Sequence, residues 1–96
     1  MESPTERWHA FVEGLVQGVG FRYYVRDTAA RLGATGWVRN RTDGRVEIVA
    51  EAEPSVLSNL EAQVRRGPPA SRVEAIAATR GPATGEFSGF RLQPTL

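Results

Sequence analysis

Residues 7–33, RWHAFVEGLVQGVGFRYYVRDTAARLG, change their hydrophobic period across a glycine-rich turn, and this change is the clearest guide to the fold. Apolar and polar side chains alternate over residues 7–13, which predicts a half-buried strand. From Phe21 onward the apolar residues recur at the spacing of an amphipathic helix, and Gly33 suits the left-handed position that ends one. We therefore predict a strand, a loop over residues 14–20 and a helix. The expected core face of the strand carries Trp8, Ala10 and Val12.

The rest of the chain alternates strand and helix signals in the same way. The TDG turn at residues 42–44 predicts a hairpin, because Asp-Gly tolerates positive φ. Pro54 suits the first position of a helix, and the RRGPP segment ends that helix. In chain order, the predicted elements are strands over residues 36–41 and 45–51, a helix from Pro54 with Val56, Leu60 and Val64 inward, a strand over residues 73–79 with Ile76 and Ala78 inward, and a short strand over residues 89–92.

The element order is therefore β-α-β-β-α-β with a short extra C-terminal strand. Two helices on one face of an antiparallel sheet form an α+β fold, the ferredoxin-like α/β sandwich. A chain of 96 residues is long enough for one modest core. We expect a single domain over residues 1–96, with a flexible N-terminus over residues 1–5. This architecture serves many functions, so the chemistry must be inferred from a site.

The composition excludes several classes of chemistry. The chain has no cysteine, which excludes disulfides, thiolate nucleophiles and cysteine-bound metals, and fits a reducing compartment. All 12 residues counted as Lys or Arg are arginine, and the missing lysine excludes a Walker phosphate loop and Schiff-base catalysis. No carboxylate pair or metal triad stands out, so we expect no metal and no cofactor.

Charge and hydropathy limit the partners. A net charge of +1 lacks the basic footprint of a nucleic-acid-binding protein. The polar N-terminal residues do not form a leader peptide, and no apolar run is long enough to span a membrane. We therefore expect a cytoplasmic monomer that binds a small molecule and neither nucleic acid nor a membrane.

The loop before the first predicted helix has the features of an anion site. The first N–H groups of a helix lack partners and lie at the positive end of its dipole. Gly18 and Gly20 allow backbone conformations in which successive amides converge on an anion. Arg22, in the first turn, has the planar fork that binds a phosphate through two hydrogen bonds. On these residues alone, a phosphate cradle and a plain glycine-rich turn beside a solvated arginine both stay open.

Three segments taken together resemble the acylphosphatase family. They are VEGLVQGVGFR at residues 12–22, GWVRN at residues 36–40 and DGRVEIVAE at residues 43–51, and the likeness extends over nearly the whole chain. Ala52 departs from the family pattern, which usually has glycine after the third segment. The turn into the second helix lies at the far end of the hairpin from Asn40, so this departure is not expected to disturb the site.

The resemblance implies an enzyme, an acylphosphatase, that hydrolyses the carboxyl–phosphate bond of a small acyl phosphate to a carboxylate and inorganic phosphate. It assigns phosphate binding to the loop and to Arg22, and it assigns the positioning of the attacking water to Asn40. It implies neither a metal nor a covalent intermediate. The implied phosphate-binding residues are Val16, Gln17, Gly18, Val19, Gly20, Phe21 and Arg22.

Other residues have simpler interpretations. Asn40 precedes a turn, where asparagine is common, so a turn role is the alternative to catalysis. His9 is expected at the surface, without a second metal ligand. Trp37 and Phe11 are expected to pack rather than to line the acyl side of the site. The arginines other than Arg22 are expected to form a solvated shell. Three of them cluster near Asn40 and could raise the local potential for an anionic substrate: Arg39, Arg41 and Arg45.

Two other functions compete with catalysis by a free-standing enzyme. A phosphate sensor would use the same loop without hydrolysis. An RNA-binding sheet of this fold needs exposed aromatic residues on its central strands, and residues 45–51 offer none. A domain of a larger carbamoyl-phosphate-using maturation protein is disfavoured, because no zinc-finger region follows Leu96.

Overall fold

The computed structural model describes residues 5–96, so most of the expected flexible N-terminus, residues 1–4, lies outside the described chain. The secondary structure follows the predicted order, and β4 differs most from its predicted bounds. In chain order, the elements are β1 (Glu6–Leu15), α1 (Phe21–Leu32), β2 (Thr35–Asn40), β3 (Val46–Ala52), α2 (Pro54–Arg66), β4 (Arg72–Pro82) and β5 (Phe90–Leu92).

The strands form one five-stranded sheet in the order β4-β1-β3-β2-β5. β1 lies antiparallel to β3 and β4, and β2 lies antiparallel to β3. β5 runs parallel to β2, with Gly36 opposite Phe90. The predicted ferredoxin-like sandwich is confirmed, but the sheet is mixed rather than fully antiparallel. After β4 at one edge, the chain crosses to the other edge and turns back, which gives β5 the direction of β2.

The core lies between one face of the sheet and the two helices. Trp8, Ala10 and Val12 are fully buried, as predicted. The buried side chains of α1 lie along one face of the helix, and Gly33 ends the helix with φ 81°. Burial of these apolar faces places both helices on the same side of the sheet. The helix residues buried in this core are Phe21, Val25 and Ala29 from α1, and Leu57, Leu60 and Val64 from α2.

Three predicted core positions differ from the structure. Val56 is only partly buried, whereas Leu57 is fully buried, so the inner stripe of α2 follows the spacing Leu57, Leu60 and Val64. Ala78 is exposed and Ile76 is only partly buried. β4 is an edge strand of the sheet, and the helices leave this edge largely uncovered.

The turn from β3 into α2 forms without glycine. Ala52 is the last residue of β3, and Glu53 caps the helix in an extended conformation with φ −62° and ψ 151°. Within residues 5–96 only glycines have positive φ. Ala52 pairs with Glu6, at the opposite end of β3 from the pair between Asn40 and Val46. Ala52, where the sequence departs from the family pattern, is therefore remote from the region around Asn40.

Candidate active site

A concavity of about 200 Å³ lies where the loop before α1 meets the end of β2. The two segments meet because β3 lies between β1 and β2 and runs antiparallel to both, so the loop after β1 and the end of β2 lie at the same end of the sheet. The residues that line the concavity are Val16, Gly18, Gly20, Phe21, Arg22, Tyr23 and Asn40.

The first turn of α1 leaves its amide groups available to an anion. Gly20 is the N-cap residue, has φ 78° and makes no side-chain capping bond, and the first turn contains no acidic residue. Gly18 has φ 73°, and a Cβ added at either glycine would meet no atom within 4 Å. The loop therefore requires glycine for its backbone conformation and not for space.

The loop is held at both ends by buried side chains. Val16 and Phe21 are each 1% exposed and belong to the core. The carbonyl of Gly20 accepts the first helical hydrogen bond, from the Tyr24 amide at 3.0 Å. Residues 17–20 thus span a short gap between two fixed points, which limits the orientations that their amides can adopt.

Arg22 is the cation of the concavity. Its side chain makes no hydrogen bond or salt bridge within the described chain, whereas Arg39 and Arg41 are both paired with Glu47. An arginine that lies at a helix N-terminus without an internal partner retains its whole fork for an anion. The solvated-arginine alternative describes an exposed side chain, but Arg22 is partly buried and lines the concavity.

Asn40 contributes a polar atom with no partner. Its Oδ1 is buried and, within residues 5–96, accepts no hydrogen bond. The backbone of Asn40 is paired with Val46 of β3 and accepts a bond from the Leu96 amide at 3.2 Å. The turn that follows is stabilised instead by Asp43, whose Oδ1 accepts the Arg45 amide at 3.0 Å. The turn role proposed for Asn40 is thus performed by another residue.

Two residues of the predicted cradle do not line the concavity with the others. Val19 packs partly buried against the core. Gln17 turns its side chain toward the hairpin, where Nε2 donates to the carbonyls of Arg41 and Arg45 at 2.7 and 2.9 Å. Any contact of these two residues with a phosphate would be made by their backbone amides.

Comparison with known proteins gives this geometry a family. The acylphosphatase family model matches residues 8–92. The chain belongs to the acylphosphatase family. It is 52% identical to an acylphosphatase of Marinobacter nauticus over 85 residues, which are 88% of this chain and 92% of the relative. This confirms the predicted family and the prediction that the chain is an enzyme, an acylphosphatase.

Solved structures agree with that assignment. The crystal structure of an acylphosphatase from Bacillus subtilis superposes with a TM-score of 0.89 at 39% identity, covering 92% of this chain and 98% of that one. A full-length HypF in a phosphate- and nucleotide-bound form has a TM-score of 0.88 at 24% identity, with 99% of this chain matching 13% of that one. The second likeness is evidence for the fold alone.

The arginines near the candidate site are paired with carboxylates. Glu47 lies on the face of the sheet opposite the helices, and its side chain is only 6% exposed. Arg39 Nε and Arg41 Nη1 donate to its Oε1 at 2.9 and 3.1 Å. Arg45 is paired with Asp43 at 2.8 Å. Three arginines against two carboxylates leave a positive charge beside Asn40, so their effect on an anionic substrate stays a prediction. Within the described chain, Arg22 is the cation of the concavity that has no internal partner.

Glu47 also contacts His9, which the sequence treated as an isolated surface residue. His9 Nε2 lies 2.6 Å from Glu47 Oε2, although the histidine side chain is 39% exposed. Burial raises the pKa of the Glu47 carboxyl, but the hydrogen bonds from His9 and Arg39 outweigh it and hold the pKa below its usual value. Sequence spacing contains no signal for this cluster, because its members come from three strands.

The aromatic residues near the site pack, as predicted. The Arg39 guanidinium lies 4.7 Å from the centre of the Trp37 ring, and that of Arg45 lies 4.4 Å from the centre of the Phe11 ring. Neither ring lines the concavity. The aromatic residues that line it are Phe21 and Tyr23. The sequence analysis did not identify Tyr23, which is 52% exposed.

Residues 5–96 contain neither a metal-ligand cluster nor a membrane-spanning helix. No group of three or more His, Cys, Asp or Glu residues in this part of the chain could hold a metal ion. Neither helix of the described chain has the length and apolar character needed to cross a bilayer.

Proposed function

We propose that the concavity binds the phosphate of an acyl phosphate and directs a water molecule against its phosphorus atom. The amides of residues 16–21 and the Arg22 guanidinium bind the phosphate oxygens, and Asn40 holds the water. One observation carries the proposal: an arginine without an internal partner and a buried amide oxygen without a hydrogen bond line the same concavity at a helix N-terminus. Both residues line the concavity in which a phosphate and a water would bind.

The chemistry of an acyl phosphate explains why few catalytic residues are needed. An acyl phosphate is a mixed anhydride whose leaving group is a carboxylate, which is stable without protonation. The phosphorus–oxygen bond to the acyl group breaks with its electron pair staying on the carboxylate, so no general acid is required. Charge develops on the phosphoryl oxygens, and fixed amides together with one guanidinium can stabilise it.

Asn40 serves the attacking water. Its Oδ1 accepts one O–H of the water, which leaves a lone pair of the water oxygen free to face phosphorus. The new bond forms between that oxygen and phosphorus, opposite the leaving carboxylate. The proton of the water passes to a phosphate oxygen of the substrate, because the residues that line the concavity include no carboxylate or histidine.

Two substitutions test these roles separately, with acetyl phosphate or benzoyl phosphate as substrate and inorganic phosphate as competitive inhibitor. For Asn40→Ala we expect kcat to fall about 10²–10³-fold, the effect typical of losing one fixed polar group, with the Ki of phosphate unchanged. For Arg22→Lys we expect both kcat to fall and Ki to rise, because a point charge does not replace a two-bond fork.

Matched controls lie elsewhere on the helices. Asn59→Ala removes an exposed asparagine of α2, and Arg31→Lys changes an exposed arginine in the last turn of α1. Both should retain full activity. Substantial activity in Asn40→Ala would remove the water-positioning role, and phosphate binding without any hydrolysis by the unaltered protein would make it a phosphate sensor.

The remaining expectations accompany this proposal as predictions. The chemistry needs no metal, so activity should survive a chelator. A cytoplasmic location, a monomeric state and the absence of nucleic-acid binding stay predictions of the sequence, and size-exclusion chromatography with light scattering tests the second of them.

A further inference from the structure

The side chain of Gln17 connects the two halves of the site. Its Nε2 donates to the carbonyl of Arg41 at 2.7 Å and to that of Arg45 at 2.9 Å, and both bonds are partly buried. Within the described chain these are the only hydrogen bonds between residues 16–20 and residues 41–45. Because one carboxamide uses both of its N–H groups here, the loop is attached to both sides of the hairpin turn.

The position of these bonds matters because β1 and β3 are no longer paired there. The ladder between β1 and β3 ends at the pair of Val12 and Val46, whereas β1 stays paired with β4 as far as Leu15. After Leu15 the loop leaves the sheet. The attachment by Gln17 therefore replaces the missing ladder between the end of β1 and the hairpin.

One hydrogen bond of the Gln17 side chain is made to the residue that directly follows Asn40. Arg41 follows Asn40 in the chain, and its amide donates to the Arg45 carbonyl at 2.8 Å, the same oxygen that accepts from Gln17. The Arg41 carbonyl likewise accepts both the Gly44 amide at 3.1 Å and Gln17. A displacement of Gln17 would thus displace the turn that directly follows Asn40.

We propose that Gln17 is a positioning residue for hydrolysis, whose side chain sets the spacing between the phosphate-binding loop and Asn40. This inference rests on the proposed function, since it requires phosphate on the loop and water on Asn40. In-line attack depends on the relative position of these two partners, and a misplacement of about 1 Å can cost about 100-fold in rate. Gln17 acts through Asn40 and does not touch the substrate with its side chain.

The test uses two variants of similar length. Gln17→Met keeps the length but removes both donors, and Gln17→Glu keeps the shape but opposes a carboxylate to two carbonyl oxygens. For both we expect kcat on acetyl phosphate to fall about 10- to 100-fold, with less change in the Ki of inorganic phosphate. Gln63→Met is the control, because Gln63 is remote on α2 and its Nε2 makes only a 3.5 Å contact with Asn59.

A double variant distinguishes positioning from a general loss of structure. If Gln17 acts through Asn40, adding Gln17→Met to Asn40→Ala should cost little further activity, because coupled residues are not additive. Independent, multiplying losses would overturn the inference. So would a rise in the Ki of phosphate that matches the loss of kcat, or a lowered Tm with unchanged kcat.

Failure of this inference and failure of the proposed function give different results. An inactive Asn40→Ala with a fully active Gln17→Met removes only the role of Gln17. An active Asn40→Ala removes the proposed role of Asn40 itself, whatever Gln17→Met does.

Discussion

Replacing Gly36 by alanine should destabilise the protein strongly, because β2 and β3 approach each other closely there. Gly36 has φ 143°, and an added Cβ would overlap the Val49 carbonyl oxygen and lie 2.9 Å from the Val49 carbonyl carbon. Carbon atoms are comfortable at about 3.5–4.0 Å, so the strands must separate locally by roughly 1 Å. The hydrogen bonds between β2 and β3 at this point would then lengthen beyond the limit of about 3.2 Å for N–H···O bonds.

The size of the effect follows from these contacts. Loss of about two ladder bonds costs roughly 1–3 kcal/mol, and a side chain forced into a glycine-only backbone conformation costs about 1–3 kcal/mol. We expect the free energy of unfolding to fall by about 4 kcal/mol, and Tm to fall by about 15–30 °C at the 4–8 °C per kcal/mol typical of small domains. Urea unfolding followed by tryptophan fluorescence measures the first quantity and calorimetry the second.

Gly44→Ala is the matched control. Gly44 has φ 96°, yet an added Cβ would meet no atom within 4 Å. Its cost should therefore be limited to backbone strain, about 1–2 kcal/mol. Equal costs at the two positions would refute the close approach of β2 to the Val49 carbonyl as the reason for glycine at position 36.

Two further predictions concern the loop and the buried carboxylates. Gly20→Ala should cost about 1–2 kcal/mol of stability through its φ of 78° and should also weaken phosphate binding. Gly85→Ala is the control, because Gly85 has φ 73° and open space around it, and this variant should lose stability alone. Equal KM values for the two variants would contradict this prediction. Glu47 and Glu51 have pKa values held below their usual 4.5, so their stabilisation is present above that pH and is lost as the pH falls through the folded-state pKa. Unfolding free energy measured from pH 7 to pH 3 should decline on the acid side, and Glu47→Gln should flatten that decline; an unchanged slope would show that Glu47 is not responsible.

Most of the fold could be predicted from local patterns. The change of period around Phe21 and the glycine at position 33 define α1, and the alternation of Trp8, Ala10 and Val12 identifies the core face of β1. These signals are local because they reflect which side of a single element is covered. The direction of β5 could not be read in this way, because it depends on which edge of the sheet the chain reaches after β4.

The candidate site was predictable only in part. Family resemblance named Arg22 and Asn40, and the antiparallel pairing of β3 with both β1 and β2 brings their segments to the same end of the sheet. The turn interpretation of Asn40 was open until the structure assigned the turn bond to Asp43. The pairing of Arg39 and Arg41 with Glu47 could not be predicted, because it depends on residues that face each other across strands.

The amino-acid sequence by itself determines the order of strands and helices, the apolar faces that form the core, and a glycine-rich helix start suited to an anion. These follow from side-chain period and backbone freedom, which are properties of neighbouring residues. Only the tertiary structure decides that Arg22 stays unpaired while Arg39 and Arg41 pair with Glu47. It also decides that Gln17 turns toward the hairpin instead of the concavity. These contacts depend on strand register, because the register brings together charged groups and amides that lie far apart in the chain.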